Sequence, residues 1–194
     1  MINEAIPKKK QLLLEAATKM FAELGFHDVK LGDVAKKAGV AKGTIYTYFK
    51  SKDTFFCDCI FDAVIRFNET IQEVIYSQLS YKDKLRELIK LQFDFYKKSG
   101  TLIKQIMELS PHSLKVGKDI HEKGIRLLKK GVGLIASYFQ EGIDKKILID
   151  SFSATQMAIV FIKIIDVNAL SELFGDEVVH VDTAYMAMER LFCR

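Results

Sequence analysis

The sequence predicts an all-α fold of about nine helices. Apolar residues recur every three or four positions along most of the 194-residue chain, which places them on one face of a helix. The two prolines, Pro7 and Pro111, leave room for long uninterrupted helices. The alternating pattern of a half-buried strand is absent over any useful length. These three observations predict helices packed on helices, without a sheet.

Three helices are expected before residue 50. The first carries an apolar stripe and should close at Gly25, because glycine readily adopts the backbone that ends helices. The second occupies about Gly32–Ala38, and Gly39 fits a left-handed turn after it. The third covers roughly Lys42–Phe49. Two short helices separated by a glycine turn form a helix-turn-helix.

Six further helices are expected after residue 50, most of them opening at a residue that caps helices well, such as Ser51, Ser80 or Ser153. Their expected ranges are about 51–77, 80–99, 102–109, 110–142, 153–174 and 182–194. The helix at 153–174 is apolar on nearly all sides, which requires that both of its faces be buried. A partner subunit on one face satisfies that requirement, and so does a monomer that buries the whole helix.

The net positive charge lies in the first quarter of the chain. Residues 1–53 contain ten lysines and six acidic residues, whereas the remainder has 19 of each sign, so the overall charge of +4 belongs to this segment. A surface that binds phosphates needs such an excess. The charge distribution therefore indicates that residues 1–53 bind a nucleic acid.

Several classes of protein and site are disfavoured. The longest clean apolar run, Met157–Ile162, is far too short to cross a membrane, and no targeting signal opens the chain, so a cytoplasmic protein is expected. The odd number of cysteines, Cys57, Cys59 and Cys193, argues against a disulfide framework. Cys57 and Cys59 point away from each other on a helix, which predicts ordinary buried thiols and no metal site, with redox sensing as the alternative. No nucleophile elbow or phosphate loop appears, so neither an enzyme nor a cofactor is expected.

The second short helix of the helix-turn-helix has an outward side that suits DNA. Ile45 should anchor this helix to the core. Small residues near a helix N-terminus allow close approach to a groove, and hydroxyls and lysines contact bases and phosphates. The outward residues are Lys42, Gly43, Thr44, Thr47 and Tyr48. These features are also compatible with a helical hairpin that binds another protein.

From Leu12 to Phe56 the chain resembles the TetR/AcrR transcriptional regulators, most clearly in the run DVAKKAGVAKGTIYTYFKSKDTFF. The resemblance implies a three-helix DNA-binding domain whose third helix enters the major groove. It implies DNA contacts from Lys42, Gly43, Thr44, Tyr46, Thr47, Tyr48 and Lys52. Two departures from the family pattern, Lys30 and Ala41, remove residues that cap a helix or bind phosphate.

The resemblance also implies two functional domains, a DNA-binding domain at 1–53 and a helical effector-binding and dimerisation domain at 54–194. A homodimer is expected, with its interface on the last two long helices. The expected interface residues are Met157, Phe161, Ile165, Tyr185, Met188 and Phe192. The expected effector residues are Phe67, Ile71, Phe93, Tyr96, Met107, Leu128 and Phe161.

The predicted function is a ligand-responsive repressor that leaves its double-stranded DNA operator when a small apolar molecule binds the second domain. The alternative is an activator or a constitutive DNA-binding regulator without a ligand. A hydrophobic effector such as a lipid or an acyl compound is preferred, because the residues expected around it are aromatic and aliphatic.

Overall fold

The computed structural model describes residues 7–108, 117–166 and 180–193. Within these ranges the chain forms eight α-helices and no strand, apart from one isolated bridge between Leu148 and Cys193. The helices are α1 Lys8–Asp28, α2 Leu31–Lys37, α3 Lys42–Tyr48, α4 Lys52–Tyr76, α5 Tyr81–Glu108, α6 Lys118–Asp144, α7 Ala154–Asp166 and α8 Val181–Phe192. The prediction of an all-α fold is confirmed.

Two helix boundaries differ from the predicted ones. Helix α5 is continuous across Gly100, where the sequence predicted two helices. One helical glycine costs only about 1 kcal/mol relative to alanine, too little on its own to break a long helix. Helix α1 runs to Asp28 but is kinked at Gly25, whose φ of 83° is not helical, so the predicted helix break at Gly25 is confirmed. The predicted helix start at Ser110 and Pro111 lies outside the described residues, but Gly117 is not helical, so α6 begins at Lys118 instead of continuing from residue 110.

By packing, the chain divides into two compact units, Met1–Val64 with Thr101–Ile125 and Ile65–Gly100 with Arg126–Arg194. The predicted boundary at residue 53 separates a DNA-binding domain from an effector-binding and dimerisation domain, and it stays a prediction. Among the described residues no helix is both long and apolar enough to cross a membrane.

The first unit is built around an aromatic cluster and an ion pair. Phe21 is fully buried, and its ring packs edge-on against that of Phe56 with 4.9 Å between centroids. The Lys123 ammonium lies 2.9 Å from an Asp58 carboxylate oxygen and over the ring of Phe61. The aromatic rings join α1 to α4, and the ion pair joins α4 to the start of α6.

The second unit has an apolar core crossed by a pair of stacked tyrosines. The rings of Tyr81 and Tyr138 are parallel with centroids 4.3 Å apart. Each hydroxyl donates to the other residue's backbone carbonyl, at 3.3 Å from Tyr81 and 2.9 Å from Tyr138. Burial raises the pKa of both phenols far above the usual value, so both stay protonated donors. The pair fixes the start of α5 against α6.

Glycines of α6 allow two close helix contacts. A side-chain carbon at Gly124 would lie 3.3 Å from the Phe61 ring, and one at Gly131 would lie 2.8 Å from the Asn68 amide oxygen. Asn68 is buried and donates from its amide nitrogen to the Leu127 carbonyl at 3.3 Å. Gly133, by contrast, meets nothing within 4 Å. Close packing therefore accounts for Gly124 and Gly131 but not for Gly133.

Replacing Gly142 with alanine is expected to destabilise the protein. The added carbon would overlap the Tyr81 hydroxyl and lie 2.7 Å from a Leu148 methyl carbon. Overpacking of this kind costs about 1–3 kcal/mol. Urea unfolding followed by circular dichroism measures the change, and Gly133→Ala, on the same helix with open space, is the matched control. Equal stability of the two variants would contradict the described packing around Tyr81.

Candidate functional site

The helix-turn-helix has the predicted geometry. Gly39 adopts a φ of 68° between α2 and α3, the left-handed conformation that glycine accepts without strain. Val34 and Ala35 of α2 are buried, and Ile45 of α3 is fully buried. Phe49, immediately after α3, stacks on Phe55 of α4 with centroids 4.0 Å apart. These contacts hold α3 in one orientation on the first unit.

The outward surface of α3 carries the residues that were predicted from the sequence to contact DNA. Lys42, Gly43 and Thr47 are exposed, and Tyr46 has 58% of its surface accessible. Thr44 and Tyr48 are half-buried. All six lie on one short helix whose opposite side is fixed in the core, which is the arrangement a recognition helix needs.

The fold itself does not require glycine at position 43. A side-chain carbon there would meet nothing within 4 Å, and its φ lies outside the left-handed region. Glycine within a helix nevertheless costs stability relative to alanine. The packing of the chain itself therefore gives no reason for a glycine at this position.

Lys52 makes contacts inside the protein that the sequence did not predict. Its ammonium donates to the His27 carbonyl at 2.9 Å, where it caps the end of α1, and it lies 5.0 Å from the centroid of the Phe26 ring. Partial burial lowers the pKa of Lys52, although Asp28 and Asp53 oppose this effect. A phosphate contact from Lys52 stays a prediction, and the phosphate would share the ammonium with His27.

The two departures from the family pattern have visible consequences. Neither Lys30 before α2 nor Ala41 before α3 makes a side-chain capping hydrogen bond. At the start of α2, Asp33 and Val34 instead donate their backbone N–H groups to the Lys30 carbonyl, at 3.0 and 3.2 Å. The loss of a side-chain cap expected at Lys30 is therefore observed, whereas the loss of a phosphate hydrogen bond at Ala41 stays a prediction.

The residues predicted for the effector site lie in different environments. Ile71 and Phe161 are buried in the core of the second unit, and Phe67, Phe93 and Tyr96 pack half-buried against it. Leu128 has 65% of its surface exposed, so it does not line an interior site, and its inclusion is corrected. Leu128 shares the helical period of the buried α6 residues, but it lies two turns before Ile135, the first of them. The Met107 side chain lies outside the described residues.

Two polar residues of α5 were missed. Gln92 and Ser99 are 5% and 9% exposed, so both lie inside the second unit. Their spacing in the sequence could have identified them as buried, because they occupy core-facing positions that continue the buried stripe of Leu85 and Leu88. A search for apolar residues alone passes over them.

The predicted dimer residues belong to the core of the subunit. Met157, Phe161 and Met188 are at most 1% exposed, and Tyr185 and Phe192 are 6% and 4% exposed, so they present almost no area to a partner. The prediction of these residues as interface is therefore corrected. Among the described side chains of α7 and α8, the exposed large apolar residues are Ile159, Val160, Met186 and Leu191. The Ile165 side chain is not among those described.

The cysteines are buried or half-buried thiols, as predicted. Burial raises the pKa of Cys57 to about 11 and raises that of Cys59 further, so the reactive thiolate is scarce near neutral pH. Cys193 is half-buried, and burial raises its pKa too. No cluster of metal-binding side chains occurs within the described ranges.

Comparison with known proteins supports this arrangement. The family model "Bacterial regulatory proteins, tetR family" matches residues 13–58. The fatty acid metabolism regulator protein of Bacillus subtilis is 31% identical over 147 residues, 73% of this chain and 75% of that protein. A TetR-family regulator structure from Mesorhizobium loti has a TM-score of 0.76 at 17% identity and covers 96% of this chain and 98% of its own.

A further solved structure is the transcriptional regulator FadR of Bacillus subtilis in complex with stearoyl-CoA. It has a TM-score of 0.69 at 24% identity and covers 92% of this chain and 96% of its own. The relatives are DNA-binding regulators rather than enzymes, as the sequence predicted. With the matching family model and the helix-turn-helix geometry, the comparisons lead to one assignment: the chain belongs to the TetR family of bacterial transcriptional regulators.

Proposed function

We propose that this protein is a homodimeric repressor in the bacterial cytoplasm that releases its operator when a fatty-acyl compound binds the second unit. The observation that carries DNA binding is the exposed α3 surface held by the buried Ile45. The acyl effector is supported by the 31%-identical fatty acid metabolism regulator and by the relative solved with stearoyl-CoA. The aromatic and aliphatic core of the second unit suits an acyl chain.

The geometry of major-groove binding by two recognition helices favours a dimer. Two recognition helices enter successive major grooves only when they lie about 34–36 Å apart, or a multiple of that distance. The exposed apolar residues of α7 and α8 offer the surface for a second copy, because each helix already buries its opposite face in its own subunit. We assign the interface to Ile159, Val160, Met186 and Leu191.

The proposed release mechanism uses helix α4. This helix is continuous from Lys52 to Tyr76 and contributes residues to both units. An effector that displaces the part of α4 around Phe67 would change the spacing of the two recognition helices. Effector and DNA would then weaken each other's binding by the same factor, typically about 5–150-fold.

DNA binding is tested with Lys42→Ala, which removes an exposed cation from the start of α3. Mobility shifts on the DNA upstream of its own gene, at several salt concentrations, should show weaker binding by the variant. If Lys42 contacts one phosphate, the slope of log affinity against log salt should fall by about 0.9. Lys90→Ala, an exposed lysine on α5, is the matched control. Identical salt slopes for Lys42→Ala and the wild type would contradict this contact.

A further inference from the structure

The outer side of α8 carries opposite charges at its two ends. Asp182, Met186 and Arg190 are all exposed and follow one another at intervals of four residues, so they form one ridge along the helix. The opposite side of α8 is buried in its own subunit, where Tyr185 and Met188 are 6% and 1% exposed. The ridge therefore has an acid at one end, a base at the other and an apolar residue midway between them.

The charged residues of α8 differ in how far the subunit itself pairs them. The Glu189 carboxylate accepts a hydrogen bond from the Lys82 ammonium at 2.8 Å. The Asp182 carboxylate lies 3.9 Å from the Arg86 guanidinium, but the Asp182 side chain is 85% exposed and remains accessible to a second cation. Arg190 has no ion-pair partner among residues 7–108, 117–166 and 180–193. One acid and one base on the ridge are therefore open to a partner subunit.

Two-fold symmetry makes this ridge complementary to itself. In a two-fold interface, a contact between residues i and j is always accompanied by the same contact between j and i. If two copies of α8 run antiparallel with the axis beside Met186, each Asp182 faces the partner's Arg190. Asp182 and Arg190 are eight residues apart, which is about 12 Å along the helix, so both pairs can form at once. Parallel copies would instead place acid against acid and base against base, an unfavourable arrangement.

We propose that Asp182 and Arg190 select a second copy of this chain as the partner and set the antiparallel direction of α8 in the dimer, through two reciprocal ion pairs beside Met186. The inference rests on the proposed function, which places Met186 in the dimer interface, and adds the residues that determine partner and orientation. Charges beside an apolar contact act mainly on specificity, because a partner with the wrong pattern meets like charges.

Charge reversal in the full-length protein tests the pairing. Asp182→Arg and Arg190→Asp each replace two attractive pairs by two like-charge pairs, so each should raise the dimer dissociation constant at least about tenfold. The variant that carries both substitutions exchanges the charges and should dimerise about as tightly as the wild type. Sedimentation equilibrium over a range of protein concentrations measures these constants. Asp119→Arg, the same reversal at an exposed acid in the first turn of α6, is the matched control.

A mixture of the two single variants shows whether the pairs form between subunits. In the heterodimer of Asp182→Arg with Arg190→Asp, an acid faces a base at both positions, so native mass spectrometry should detect far more heterodimer than random pairing gives. Misfolded variants would not recover in this way. Single variants that dimerise like the wild type, or a double variant as weak as the single ones, would overturn the inference alone. A wild type that stays monomeric at every concentration would overturn the proposed homodimer as well.

Discussion

Replacing Gly43 with alanine is expected to stabilise the folded protein and, in the same variant, to weaken operator binding by about tenfold or more. The stabilising effect follows from helix propensity and amounts to at most about 1 kcal/mol. It meets no steric opposition, since the added carbon has open space within 4 Å. The loss of DNA affinity follows because a methyl group at the start of α3 would hold the helix away from the groove.

The two effects in Gly43→Ala have opposite signs, so misfolding cannot imitate the expected result. Urea unfolding measures the stability and mobility shift measures the operator affinity. Gly133→Ala makes the same change at another exposed helical glycine with open space, and it should gain stability without affecting DNA binding. If Gly43→Ala binds the operator as tightly as Gly133→Ala, α3 does not approach DNA through Gly43.

Introducing arginine at Ile159 or Leu191 is expected to convert the dimer into monomers. The two residues lie on α7 and α8 and are each 49% exposed in the subunit. A charge buried without a partner at an interface costs several kcal/mol, which lowers dimer affinity by more than about a hundredfold. Analytical ultracentrifugation measures the mass, and both variants should also lose high-affinity operator binding.

Leu128→Arg is the matched control for the interface variants, because Leu128 is an exposed leucine on α6. It should remain dimeric and bind the operator normally. Dimeric Ile159→Arg and Leu191→Arg proteins would exclude this face as the interface. A monomeric Leu128→Arg protein would place the interface on α6 instead.

Much of the helix-turn-helix in the first unit was predictable from residues that are close together in the sequence. The Gly39 turn follows from the conformational freedom of glycine, and the outward position of Lys42 follows once Ile45 is recognised as an anchor. The contact between Lys52 and the His27 carbonyl was not predictable, since it joins residues 25 positions apart. Helical periodicity reports only which residues share a face of one helix.

The interface assignment failed for a related reason. Helix α7 is apolar on two sides, and periodicity cannot tell which side meets its own core and which faces outward. Phe161 was assigned to the interface, and the tertiary packing places it in the core, leaving Ile159 and Val160 outside. Gln92 was missed because its polarity contradicts a core position, although its spacing on α5 required one.

The most direct test of the account is operator binding by the wild-type dimer with and without stearoyl-CoA. We predict tight, salt-sensitive binding to a two-fold symmetric site upstream of its own gene, weakened about 5–150-fold by saturating stearoyl-CoA. Operator affinity that is unchanged by a bound acyl compound would contradict the proposed regulation. Binding no stronger than that of a generic basic protein would contradict operator recognition itself.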